Sequence, residues 1–197
     1  MLFDAPSVEV APLLLGAVLS KTTPDGTVAV RITEVEAYLG EVDPGSHAFR
    51  GQTRRNAVMY GDPGRLYTYF TYGMHVCANV VCSPTGVATA VLLRAGEVVD
   101  GLELARSRRL ASTTDAELAR GPARLVVALG VTLADGGANL AAAPFCLELP
   151  PHQSPAATGP RTGVSGPGGT LDYPWRFWIP GDPSVSPYKA SVPKKRA

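Results

Sequence analysis

Net charge is almost missing from this chain: 18 Lys and Arg stand against 17 Asp and Glu, leaving +1 over 197 residues. No long-range field draws such a protein to nucleic acid or to an anionic membrane, so any contact of that kind must come from a local patch. Cysteine is scarce as well. Cys77, Cys82 and Cys146 form neither an even disulfide framework nor a CxxC pair, and the three histidines lie far apart. These absences argue against structural zinc and for a reduced, cytosolic protein with no metal or cofactor. Lysine is missing from the centre, being confined to Lys21, Lys189, Lys194 and Lys195. No apolar run approaches the ~18 residues of a membrane span. The first residues carry Asp4, Pro6 and Glu9, where a secretory leader would be basic and then apolar. A soluble cytoplasmic protein, nucleoid-associated if bacterial, is the expectation.

Glycine and proline are plentiful: 21 and 18 residues make up about a fifth of the chain, against a usual total near ~12%. Much of the backbone therefore sits in defined loops and turns, which favours a β-containing fold over a helical bundle. The length suits one domain with a substantial core, expected over 1–188, with a basic disordered tail over 189–197. No internal repeat or second-domain boundary is visible. Val8 to Lys21 reads as a helix with an apolar stripe. Pro24-Asp25-Gly26 signals a turn into a strand from Thr27 to Tyr38. Strict alternation puts Val28, Val30, Ile32, Glu34, Glu36 and Tyr38 on one face of that strand. An apolar face that runs into two carboxylates and a tyrosine has two readings. The strand either emerges into solvent or holds a carboxylate at the edge of the core, where partial burial suits it to act as a base.

Gly40 to Gly64 has no periodicity, and a loop of that length in a single domain is usually functional or disordered. His47, Arg50, Arg54, Arg55 and Arg65 lie in it or at its edge, opposed by Glu41, Asp43 and Asp62. Such a run is either a solvated surface or a phosphate contact. Leu66 to Cys82 reads as a hairpin that turns at Gly73, with Tyr67 and Tyr69 facing one way and Leu66, Phe70 and Tyr72 the other. Tyr72 and Met74 fall at its tip, where an aromatic next to a basic loop could enter a base stack or fold back on its own strands. Gly86 to Ala95 is a buried strand whose Arg94 needs a carboxylate or phosphate partner. Leu102 to Ala119 reads as a helix with Glu103, Arg106, Arg108 and Arg109 towards solvent. Pro122 starts a further helix and Gly130 stops it. Phe145 to Leu149 and Trp175 to Trp178 are short strands, and the segment from Pro150 to Gly169 is expected to be partly mobile. The alternating strands favour an α+β fold: a curved, mostly antiparallel sheet with flanking helices.

The order EVEAYLG (34–40), DPGSHAFRGQT (43–53), RNAVMY (55–60), PGRLYTYFTYGMHVCAN (63–79), VLLRA (91–95) and GPARL (121–125) closely resembles the alkyladenine (3-methyladenine) DNA glycosylase family. That family is distinct from the helix-hairpin-helix glycosylases, whose signature is not visible here. The resemblance implies one compact domain with a protruding hairpin that reaches into the minor groove of double-stranded DNA containing damaged purines, acting as a monomer. It implies that Glu36 is the general base that activates water, with Arg94 near that water. Tyr38 and Tyr69 would stack on the extruded base, His47 would hydrogen-bond it, and Asn79 would disfavour undamaged guanine. Val164 falls in the segment that resembles the C-terminal part of the pocket. Tyr72 would fill the gap left in the duplex, with Met74 beside it and Arg50, Arg54 and Arg55 as DNA contacts. Arg54 stands where the family commonly has the proline of Thr-Pro-Arg-Asn.

The reaction so implied is hydrolysis of an N-glycosidic bond, in which alkylated or deaminated purines are flipped out of the duplex at a cost of a few kcal/mol of unstacking. With no central lysine to form a Schiff base, a monofunctional enzyme without lyase activity is expected. Two other classes compete. A nucleoside hydrolase would use the same carboxylate and aromatics but has no need of a basic loop, and a non-catalytic minor-groove DNA-binding protein leaves Glu36 beside Tyr38 without a purpose.

Overall fold

The computed structural model describes residues 2–71 and 73–191. Tyr72 and the last part of the basic tail, 192–197, lie outside the described residues. Among the described residues nine strands form one sheet, and its continuous path runs β3 (Leu66–Thr71), β4 (His75–Cys82), β5 (Thr89–Asp100), β2 (Gly26–Tyr38), β1 (Val18–Thr23), β7 (Phe145–Glu148), with every pair antiparallel. β1 (Val18–Thr23) and β2 (Gly26–Tyr38) turn over Pro24-Asp25, as the proline and glycine around that turn dictate. β3 (Leu66–Thr71) and β4 (His75–Cys82) make the expected hairpin. β5 (Thr89–Asp100) pairs with β2 from Ala29 to Tyr38. β6 (Ala119–Arg120) pairs with β5, β7 (Phe145–Glu148) with β1, and β8 (Ala157–Gly159) with β9 (Arg176–Trp178). The fold is α+β, as expected from the alternating strands.

Helical structure is shorter than the sequence suggests. The apolar stretch from Val8 gives only α1 (Ser7–Val10) and a 3-10 turn, Ala11–Leu14, before the chain becomes β1. Pro12 sits at the start of that turn and Gly16 adopts φ +83°, which no continuing helix can use. The expected helix from Leu102 likewise stops early. α2 covers Leu102–Arg108, and Arg109 and its followers leave it. α3 (Pro122–Leu129) matches its punctuation, with proline in its first turn and Gly130 at φ +69° closing it.

One face of the sheet carries the main core. Val28, Val30 and Ile32 of β2 pack there with Val91 and Leu93 of β5, Val80 of β4, Leu66 of β3 and the buried side of α3, Leu125, Val126 and Leu129. Beyond Ile32 the core residues of β2 become Val35 and Ala37. The register against β5 shifts between Ile32 and Glu34 and again between Glu34 and Val35. An extra residue in the ladder reverses which side chains face which way. The strict parity read from the sequence is therefore wrong after Ile32: Glu34, Glu36 and Tyr38 face away from the main core. The bulge falls where β2 exchanges one neighbour for another, from β1, paired through Arg31, to β9, paired from Glu34. On the second face the loop after β2 packs Ala48 and Met59 over Tyr67, Val81 and Ala90.

Candidate active site

The second face of the sheet is the floor of a cavity of about 790 Å³. Glu36 and Tyr38 come from β2, Arg94 and Leu92 from β5, Cys77 and Asn79 from β4, and Tyr67 and Tyr69 from β3. Each is on the side opposite the main core, which is why one sheet face can carry so many polar groups. His47 and Pro44 reach in from the loop after β2, and Thr162 and Val164 from the loop after β8. All seven residues that the sequence assigns to catalysis or the base pocket, Glu36, Arg94, Tyr38, His47, Tyr69, Asn79 and Val164, line this single space.

Glu36 is fully buried. Its Oε1 accepts the backbone N–H of Thr162 at 2.7 Å and its Oε2 accepts the hydroxyl of Tyr38 at 2.8 Å. Arg94 approaches Oε1 to 3.3 Å through its Nη1. Two hydrogen-bond donors and one cation, from three elements, therefore fix one carboxylate, and the solvent reading of this strand end is excluded. Glu34 is just as deep but has a different role. It accepts Arg94 Nε at 2.9 Å, Arg176 Nε at 2.6 Å and the N–H of Ser186 at 2.8 Å, so its oxygens are engaged in ties to the fold. The partner that the sequence demands for Arg94 is thus a pair of carboxylates.

The aromatic walls are ordered by their own contacts. Tyr67 and Tyr69 stack with centroids 5.6 Å apart, and His47 meets Tyr69 edge-on at 4.5 Å. His47 Nδ1 lies 3.2 Å from the Tyr67 hydroxyl. Burial raises the hydroxyl pKa of Tyr38 well above its usual range, with Glu36 adding to the effect, and burial with Cys77 does the same to Tyr69. Both phenols are therefore neutral donors at physiological pH. Burial, followed by the charge of Arg55, lowers His47 below its ordinary 6.5, so the imidazole is neutral there too. Asn79 donates from Nδ2 to the Tyr67 carbonyl at 3.1 Å, which fixes the orientation of its amide.

Arg161 was missed by sequence reasoning except as part of a loosely matched segment. It is 1% exposed, within the stretch expected to be partly mobile. It makes a two-pronged pair with fully buried Asp43, donates to the Ala37 carbonyl at 3.0 Å and lies 4.5 Å from the centre of the Tyr38 ring. Asp43, counted among the acids opposing the loop arginines, is instead the anchor of the loop that carries His47. Thr162, next in sequence, is the donor to Glu36, and among the described residues its own hydroxyl is the buried polar side-chain atom left without a partner. The proposed DNA contacts lie elsewhere. Arg50, Arg54 and Arg55 are exposed and none lines the cavity, although Arg55 donates to the Phe70 carbonyl at 3.1 Å. Asn56 determines the path of that loop: its side chain accepts the Thr53 N–H at 2.6 Å and donates to the carbonyls of His47 and Gly51. Met74 is 68% exposed at the hairpin tip. Among the described residues no group of His, Cys, Asp and Glu could hold a metal ion, and no helix is long and apolar enough to cross a membrane.

A family model described as methylpurine-DNA glycosylase (MPG) matches residues 1–183. The chain belongs to the methylpurine-DNA glycosylase family. It is 67% identical over 192 residues to a candidate 3-methyladenine DNA glycosylase of Leifsonia xyli, a match covering 95% of this chain and 90% of the relative. Against a protein of the same description from Streptomyces avermitilis the identity is 57%, over 98% of this chain and 92% of the relative, and against one from Nocardia farcinica it is 52%, over 97% and 90%. A methylpurine-DNA glycosylase is a hydrolase of N-glycosyl bonds that belongs to base excision repair, so the family match and the buried carboxylate point to the same chemistry.

Proposed function

We propose that the protein extrudes alkylated or deaminated purines from duplex DNA and hydrolyses their N-glycosidic bond, leaving an abasic site uncut. The observation that carries this reading is Glu36: a fully buried carboxylate, fixed by Tyr38, Arg94 and Thr162, at the floor of a cavity walled by Tyr38, Tyr69 and His47. An alkylated purine is cationic and electron-poor, so each phenol face attracts it by about 0.5–2 kcal/mol once water is excluded. Neutral His47 adds no repulsion to that cation. Undamaged bases lack this attraction and cost more to unstack.

With the base between the rings, its sugar faces Glu36. The carboxylate takes a proton from a water molecule and the water oxygen bonds to C1′. The C1′–N bond breaks and its electron pair returns to the purine, cancelling its charge. As that bond lengthens, the sugar develops oxocarbenium character that the carboxylate stabilises. A cationic base leaves without an acid, whereas a neutral one such as hypoxanthine needs a proton. No lysine lines the cavity among the described residues, and Lys21 is engaged with Asp135 at 2.7 Å and with the Gly130 carbonyl. Incubation with duplexes that carry 3-methyladenine, 7-methylguanine, hypoxanthine or ethenoadenine is expected to release free base with no strand cleavage. A covalent adduct trapped by borohydride would overturn the monofunctional assignment.

A further inference from the structure

Positive charge is unevenly placed along the chain. Residues 1–188 hold all 17 acids but only 14 of the 18 Lys and Arg, a balance of −3. Residues 189–197 carry +4, from Lys189, Lys194, Lys195 and Arg196, with no acid among them. A body of negative sign gains nothing from long-range attraction to a polyanion, so cations held close to a bound strand must supply that attraction. A run of basic residues is ordinarily solvated surface, yet this one is fastened at its root to the candidate active site. Ser186 is 7% exposed: its N–H donates to Glu34 at 2.8 Å, its Oγ accepts Arg94 Nη2 at 3.2 Å and its carbonyl accepts Arg176 Nη2 at 2.8 Å. Three residues on, the Lys189 carbonyl accepts the N–H of Gly163 at 2.9 Å. Gly163 is exposed and stands between Thr162 and Val164, and all three line the cavity. The chain thus passes from the supports of Glu34 and Arg94 to the rim of the cavity, where Lys189 is exposed.

We propose that residues 189–197 act as a cationic arm that grips the DNA backbone beside the cavity, offsetting the negative charge of the rest of the chain. The inference rests on the reading of the cavity as a base pocket, since that reading brings duplex to the rim at Gly163. Lys194, Lys195 and Arg196 follow Lys189 by five to seven residues, so their reach from that rim is at most about 25 Å. A duplex carries one negative charge per ~1.7 Å of axis, so phosphates lie within that reach on either side of an extruded nucleotide. The Gly163–Lys189 hydrogen bond sets where the arm starts, and the spacing of the four cations sets how far from the lesion it acts.

Equilibrium binding of undamaged duplex across a salt series tests the arm without base release. The triple variant Lys194→Ala, Lys195→Ala, Arg196→Ala changes no residue of the cavity or of its supports. It is expected to weaken binding at least roughly 10-fold near 0.1 M salt and to make the slope of log K against log salt shallower by about 2.7, which is about 0.9 for each lost phosphate contact. Lys194→Arg with Lys195→Arg keeps the charge and should keep the slope. Hydroxyl-radical footprints on a duplex with a single 7-methylguanine test where the arm acts, because the lesion, or the abasic site left in its place, marks the position of the cavity. The alanine variant should lose backbone protection within about seven nucleotides of that mark, the span of ~25 Å at 3.4 Å per nucleotide. Unchanged affinity and slope, or protection that weakens evenly along the duplex, would overturn the proposal. Base release by the unaltered protein is scored separately on lesion duplex. Release with an unresponsive slope refutes the arm alone, and a responsive slope without release refutes the enzymatic reading alone.

Discussion

Individual residues divide the two neighbouring acids of β2 into different tasks. Glu34 is engaged by Arg94, Arg176 and the Ser186 N–H, while Glu36 keeps its contacts at the cavity floor. Spacing alone could not separate them, because both are acids on one strand and their partners lie up to 152 residues away. His47 gives a test at this scale. Its pKa is lowered by burial and by Arg55, so the unfolded chain takes up a proton near 6.5 that the folded chain refuses until lower pH. Folded stability is therefore lost as pH falls below 6.5 towards the lowered value. Protonated His47 would also repel a cationic purine. The rate of 7-methylguanine release should fall in acid, and Arg55→Ala should move that fall upward in pH, towards 6.5, because one of the two causes of the shift is gone. An acid limb that does not move would remove His47 from the pocket's electrostatics.

Among the elements, β2 decides the site. Its existence and its turn at Pro24-Asp25 were legible from period-two alternation and turn chemistry, as were the β3-β4 hairpin and the punctuation of α3. The bulge near Glu34 was not, since one extra residue leaves no compositional mark on the strand that carries it. Its trace is on the partner. Gly96 of β5 pairs with Ile32, and a Cβ there would lie 2.5 Å from the Arg31 carbonyl oxygen and 2.4 Å from a methyl of Val30. A glycine in a strand interior often marks such a close approach. Gly96→Ala should therefore force β5 from β2, at a cost of about 1–3 kcal/mol. Denaturant midpoints read this directly, and a neutral result would mean that the two strands have slack at the bulge. The false helices have equally local causes. The proline and glycine after α1 break an apolar stripe that otherwise has helical spacing, and Arg109, the residue that ends α2, lies at the cavity wall and not on a continued helix face.

For the whole molecule, the segments that complete the cavity come from opposite ends of the sequence and meet in the core. Asp43 and Arg161 are 118 residues apart and fully enclosed, and together they lock the His47 loop against the segment whose Thr162 N–H holds Glu36. Nothing local announces such a pair. Asp43→Ala strands a buried guanidinium and should destabilise the fold by about 3–5 kcal/mol. A loss under about 1 kcal/mol in urea unfolding would show that Arg161 finds water or another acceptor. The central claim is that the enclosed carboxylate of β2 activates water against a sugar whose base the cavity holds. It is tested most directly by Glu36→Gln on duplex carrying an alkylated purine, with lesion binding and single-turnover base release measured on the same preparation. The substitution keeps size and hydrogen-bonding atoms but removes the base, so binding should persist while release falls by at least about 100-fold, the usual worth of a general base. Release at near the unaltered rate would contradict the account and place the water-activating group elsewhere.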